Sequence, residues 1–269
     1  MESRRILQQD EERFGLPCRA GTEVDDFERS GTLSRTVWVR GVQIPDGSQF
    51  GTDCDFCYFW VRLAAATKVH GHEMASGSAL EFAPVPPPLS AVGFFFLLPL
   101  YPFLAVRSLG DLRAQRVTVT PSAPLQIGPF PVLAGERILL SKDGRLEEWS
   151  LRSPRVVQGL PLQTGWLTFD RKGRLRELML YRSQVLLGVP CFGSGLAGTE
   201  IRLHEDGSLA RLVLAEDHRI GGADHPRGTR LDLAPDGSVK RRRLLKIDVA
   251  MYTPRPPTSR GGAEPPAAD

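Results

Sequence analysis

The stretch ILLSKDGRLEEWSL, residues 138–151, reads as two short strands around an Asp143-Gly144 turn. Ile138 and Leu140 alternate ahead of the turn, which is the period of a half-buried strand. Glycine supplies the positive φ that such a turn requires, and the preceding Asp can bond its own backbone. Leu146, Trp149 and Leu151 stand two, five and seven residues after the glycine. The step from two to five is odd, so a bulge is needed to re-phase the second strand.

The same spacing returns around Gly173, Gly207 and Gly237. Leu167 and Phe169, Ile201 and Leu203, and Leu231 and Leu233 occupy the alternating sites before the glycine. Leu175, Leu209 and Val239 follow at two, and Leu180, Leu214 and Leu244 at seven. The five-after site holds Leu178, Leu212 and, in the last copy, Arg242, as suits a terminal unit with a polar outer side. Val24, Phe27, Gly31 and Leu33 fit as a first copy with one extra residue.

A second series of glycines opens each unit: Gly15, Gly41, Gly71, Gly128, Gly159, Gly188 and Gly222, at steps of 26, 30, 57, 31, 29 and 34 residues. Val39, Val69, Ile127, Val157 and Ile220 predict a third strand ahead of these glycines. The step of 57 is nearly twice the others, which predicts one degenerate or replaced unit between about 93 and 127. The fold expected is all-β, an elongated array of about eight β-hairpin repeats near 29 residues each, with an irregular apolar insertion near the middle. A parallel β-helix with three short strands per coil is the alternative, since its corners also use Asp-Gly turns. The segments are a polar N-terminal stretch 1–14, repeats over 15–88, the apolar degenerate unit 89–127, repeats over 128–253 and a disordered tail 254–269.

Composition agrees. Gly 27 and Pro 22 make 49 of 269 residues, 18%, against ~12% in average usage, which favours a turn-rich chain. With 41% hydrophobic residues the chain can bury a real core, so wholesale disorder is excluded. A net charge of +3 is too small to demand nucleic acid as partner. Four cysteines without a dense framework fit free thiols in a reducing compartment, and Met1 to Phe14 lacks an apolar stretch of signal-peptide length. A cytoplasmic location is expected.

On the repeated x-Asp-Gly-x-Leu hairpin, with an apolar residue seven after the glycine, residues 15–247 resemble the bacterial tandem β-hairpin repeat proteins grouped with MORN-like and YwqK-type antitoxin-like repeats. The resemblance implies an elongated sheet that works as a scaffold or interaction surface.

Few residues suggest chemistry. Cys54-x-x-Cys57 with His70 and His72 could supply four tetrahedral zinc ligands, twelve residues separating Cys57 from His70. His70-x-His72 is tighter than the usual spacing of such a pair, and Tyr58, Phe59 and Trp60 fit a packed strand carrying small thiols, so no bound metal is expected. Cys18 and Cys191 follow Gly-x-Pro in matching places, which favours packing over catalysis. His204, His218 and His225 lie near Glu205, Asp206, Asp217 and Asp224 without a metalloenzyme spacing. No nucleophile elbow, phosphate loop or dinucleotide fingerprint is present in the sequence. Lys240, Arg241, Arg242 and Arg243, with Lys246, suit a capping strand and lack the interleaved aromatics of a nucleic-acid surface.

The run AVGFFFLLPLYPFLAV, Ala91 to Val106, departs most from the repeat. Its sixteen uncharged residues fall short of the ~20 of a spanning helix, and Pro99 and Pro102 break its centre. It reads as an internal plug of the core, with membrane contact or an oligomer interface as alternatives. The function expected is a non-enzymatic repeat scaffold that binds a protein partner, without catalytic residues or cofactor. The alternatives are a membrane-associated repeat protein held by residues 89–106, and a zinc-stapled domain or zinc enzyme built on Cys54, Cys57, His70 and His72.

Overall fold

The structure, a computed structural model, describes residues 4–14, 16–52, 59–82, 116–195 and 198–245. Every described regular element is a β-strand and every strand pair is antiparallel, so the chain is a hairpin array and not a parallel β-helix. The tail and the apolar run Ala91 to Val106 lie outside the described residues.

Two kinds of hairpin alternate along the sequence. The first kind builds ladders. In the compact unit Met1–Arg176 the ladder order is Arg4–Ile6, Glu23–Asp25, Ser30–Thr32, Gln49–Thr52, Phe59–Arg62, Ala79–Phe82, Val117–Thr120, Ile138–Leu140, Leu146–Leu151 and Gly165–Phe169. In the unit Glu177–Asp269 it runs from Leu175–Leu180, which begins just before the boundary, through Ile201–Leu203, Leu209–Val213 and Thr229–Leu233 to Val239–Leu244. The segment 1–14 is therefore not only a polar lead-in, since it contributes the ladder strand Arg4–Ile6.

The bulge demanded by the odd spacing is present. Leu140 pairs with Leu146 while Leu139 pairs with Glu148, leaving Glu147 as the extra residue. Leu203 with Leu209 against Arg202 with Arg211, and Leu233 with Val239 against Asp232 with Arg241, repeat the same shift. The turn glycines Gly144, Gly173, Gly207 and Gly237 have φ of 73°, 74°, 84° and 81°. Asp206 Oδ1 accepts the Ser208 backbone N–H at 2.9 Å, and Asp236 does the same for Ser238. The first copy differs from the sequence reading. Its left-handed turn residue is Arg29, φ 49°, held by a turn in which Asp25 Oδ1 accepts the N–H groups of Phe27 and Glu28. Gly31 lies inside the strand Ser30–Thr32, where a Cβ would come within 2.4 Å of the Glu23 carbonyl oxygen.

The second kind of hairpin stands beside the ladders. Seven are present among the described residues: Glu11–Arg13 with Leu16–Cys18, Val37–Val39 with Val42–Ile44, Thr67–Val69 with His72–Met74, Leu125–Ile127 with Phe130–Val132, Arg155–Val157 with Leu160–Leu162, Gln184–Leu186 with Val189–Cys191, and His218–Ile220 with Ala223–His225. The opening glycines are thus hairpin turns in their own right. Arg40, His70, Gln158 and Leu187 have φ between 46° and 51° and precede glycines that also have positive φ, the backbone of a two-residue turn matched to strand twist. The strand predicted ahead of the opening glycine exists, and a partner strand follows it.

This arrangement resolves the 57-residue step. Ala79–Phe82 pairs directly with Val117–Thr120, with Phe82 opposite Val117, and the side hairpins 67–74 and 125–132 follow one another in the series. The extra length enters between the two strands of one ladder hairpin, and seven side hairpins are present among the described residues.

Apolar side chains on alternate ladder positions and on one face of each side hairpin form the core. Leu80, Val119, Ile138, Leu167 and Phe50 are buried from the ladders, and Val42, Ile44, Met74, Val132 and Leu162 from the side hairpins. Phe130 of a side hairpin lies 4.8 Å from Phe169 and 6.1 Å from Trp149, ring to ring. The charge of Glu136 is buried there and fully bonded. Glu136 accepts the Leu133 N–H and the Trp149 indole N–H at 3.0 Å each, and pairs with Arg155, whose guanidinium also lies over the Trp149 ring.

Candidate functional site

Of the four zinc candidates, Cys54 and Cys57 lie outside the described residues. His70 and His72 sit at and beside a side-hairpin turn, and each donates a hydrogen bond to another turn. His70 Nδ1 reaches the Ser141 carbonyl and His72 Nε2 the Gly144 carbonyl, both at 2.7 Å. A carbonyl accepts only from N–H, so those two ring nitrogens carry protons and are closed to a metal. Gln158 does the corresponding work at another turn, donating to the Gly173 carbonyl and accepting the Leu175 N–H. Among the described residues no group of three His, Cys, Asp or Glu side chains is placed to hold a metal.

Cys18 and Cys191 occupy the same inward slot, third after the opening glycine, in two side hairpins. Burial pushes the Cys18 thiol up to about 11 and the Cys191 thiol up to about 12, so neither is a ready nucleophile. Three of the other hairpins fill that slot with Ile44, Met74 and Leu162, and the last one fills it with His225. His225 is 3% exposed and neither ring nitrogen has a hydrogen-bond partner. The slot comparison was open to sequence reading, which instead grouped His225 with its acidic neighbours. His204 Nε2 donates to the Leu233 carbonyl, 3.0 Å away, and the ring is half-buried rather than fully solvated.

The ladder of the first unit presents its second face to solvent in two rows. Cross-strand pairing places Asp25, Ser30, Gly51, Trp60, Glu81 and Thr118 side by side, and Glu23, Thr32, Gln49, Arg62, Ala79 and Thr120 in the row beside them. The Trp60 indole lies across the Gly51 backbone, where a Cβ would come within 2.7 Å of the ring. Beside it lies a groove of about 260 Å³ lined by Arg4, Glu23, Asp25, Thr32, Gln49 and Trp60. A half-buried aromatic wall with polar groups around it is the composition of a recognition surface. Sequence reading missed it because the rows exist only once the register of distant strands is fixed.

A second cavity, about 350 Å³, is lined by Arg116, Glu147, Glu148, Thr168 and Asp170 among others. Burial pushes the Glu148 carboxyl up, partly countered by a hydrogen bond from Trp166. Asp170 is pushed up by burial but held below its ordinary value by the backbone N–H and guanidinium of Arg174. Those bonds, with another from the Lys172 N–H, commit Asp170 to its turn.

The basic strand Val239–Leu244 ends the ladder of the second unit. Arg242 stands opposite Leu231 in the row that is apolar in other copies, and it is exposed, as a capping strand requires. Among the described residues no helix is long and apolar enough to cross a membrane. No protein-family model, curated protein or solved structure matches this chain.

Proposed function

We propose that the protein is a non-enzymatic scaffold of the MORN-like kind, which binds a protein partner on the open face of the first unit's ladder. The observation that carries this reading is the Trp60 indole, laid over Gly51 in the middle of a polar double row. Aromatic side chains ringed by polar groups are the residues that most often dominate binding energy. The buried, unreactive thiols of Cys18 and Cys191 support a cytoplasmic setting, where cysteines stay reduced.

Affinity capture from cells of the source organism, with wild-type protein and a Trp60→Ser variant as baits, tests the proposal. A partner retained by wild type and lost by the variant, at unchanged melting temperature, is the expected outcome. Retention of the same partner by both baits would move the interface elsewhere.

A further inference from the structure

We infer that a corner of the second unit's ladder is a binding site for a phosphate group, built by arginines from three neighbouring strands. Arg211, Asp232 and Arg241 stand directly opposite one another across Leu209–Val213, Thr229–Leu233 and Val239–Leu244, and Arg230 stands opposite Arg243. Residues directly opposite, or two apart along a strand, share a face, so all four guanidiniums rise from one side of the sheet. They line a single cavity of about 90 Å³.

The charges in this corner do not balance. Asp232 Oδ1 accepts from Arg211 Nε at 2.6 Å, and Arg202, farther along the row, is neutralised by Glu177 at 3.0 Å. Arg230 donates to the Gly198 carbonyl through Nη2, while its Nε is buried without an acceptor. Arg241 and Arg243 have no hydrogen-bond or ion-pair partner among the described residues. Four guanidiniums thus line the cavity with Asp232 as its one carboxylate, and Glu200 beside Arg230 offsets one more charge, which leaves Arg241 and Arg243 as a surplus of two.

Protection of a sheet edge explains charge on Val239–Leu244 but not Arg230, which projects from an interior strand into the same cavity. A tetrahedral dianion matches the surplus in charge, and its oxygens accept from several planar donors at once. A single carboxylate offers fewer acceptors and half the charge. A soluble phosphate ester and a lipid headgroup share this chemistry, and the site is independent of the partner face proposed for the first unit.

Calorimetric titration of the full chain with inorganic phosphate and with glycerol phosphate, in low-salt chloride buffer, tests the assignment. Binding should appear with both and should weaken about tenfold in Arg241→Gln/Arg243→Gln, whose side chains are exposed. Lys240→Gln/Arg242→Gln removes the same charge from the same strand outside the cavity and should leave the affinity within about twofold. Equal weakening by the two double variants would reduce the effect to net charge and overturn the site. Absence of heat with either phosphate, coupled with sedimentation on phosphatidic-acid vesicles, would overturn the soluble ester in favour of a lipid headgroup. Absence of binding in every arm would overturn the inference entirely.

Discussion

Glu136 and Arg155 form an ion pair at 2.8 Å in which the carboxylate is 1% exposed and the guanidinium is also stacked over Trp149. Both carboxylate oxygens are occupied by donors: the Leu133 and Trp149 N–H groups on one, the Arg152 N–H and Arg155 on the other. Glu136→Ala leaves a buried cation and an indole N–H unmet, at a cost of about 3–5 kcal/mol. Glu136→Gln also destabilises, because its amide would place donors against donors. Urea denaturation of the two variants checks this, and a Gln variant as stable as wild type would refute the network.

His225 behaves oppositely. It sits where Ile44, Met74 and Leu162 sit in other hairpins, buried and without a partner at either nitrogen. Replacing it with Leu removes unmet polar atoms from an apolar slot and should raise stability by about 1–3 kcal/mol. The melting temperature should rise, and a fall would mean that the imidazole is used.

Alkali should weaken the fold through two thiols. The folded values of Cys18 and Cys191, about 11 and about 12, lie above that of an unfolded thiol because burial penalises the thiolate. A raised folded value gives stability that is complete below the unfolded value, near ~8.5, and is lost as pH rises through the folded one. Melting temperatures of wild type and Cys18→Ala/Cys191→Ala should therefore converge as pH climbs from about 8.5 toward 12. A constant difference across that range would show that the thiols do not titrate on unfolding.

The insertion should be separable from the fold. Phe82 faces Val117 in register, so a short Gly-rich loop in place of residues 84–115 can close the hairpin. The variant should keep wild-type strand content and lose no more than about 1 kcal/mol, because shortening a loop lowers its closure cost. Loss of folding would instead make Phe95 and Leu98 part of the core plug, and loss of membrane recovery at full stability would favour the membrane-associated reading.

How much was legible depended on whether the signal was local. The ladder hairpins were visible because glycine, its acidic neighbour and apolar residues at fixed offsets all lie within fourteen residues, as in 138–151. The side hairpins were half visible. Val37, Val39, Val42 and Ile44 alternate around Arg40-Gly41, yet Lys68 and His72 blur the pattern in the next copy, so the second strand was not separated from the unit that follows. Arg29 hid the first turn by taking a position where glycine was sought. The arginine corner was read only as a run along one strand, because Arg211 and Arg230 join it through pairing across strands.

The insertion also sets the timing of the fold during synthesis. Most pairings close across short loops, and a hairpin forms in about 1–10 μs. The strand Ala79–Phe82 must wait for Val117, about 35 residues later, which at ribosomal rates of roughly 5–20 residues per second is about 2–7 s. For that interval one edge of a finished sheet fragment stands unpaired, open to any strand that reaches it first. The nascent chain is most exposed to misassembly at that edge, and a chaperone acting on this protein would have its longest opportunity there.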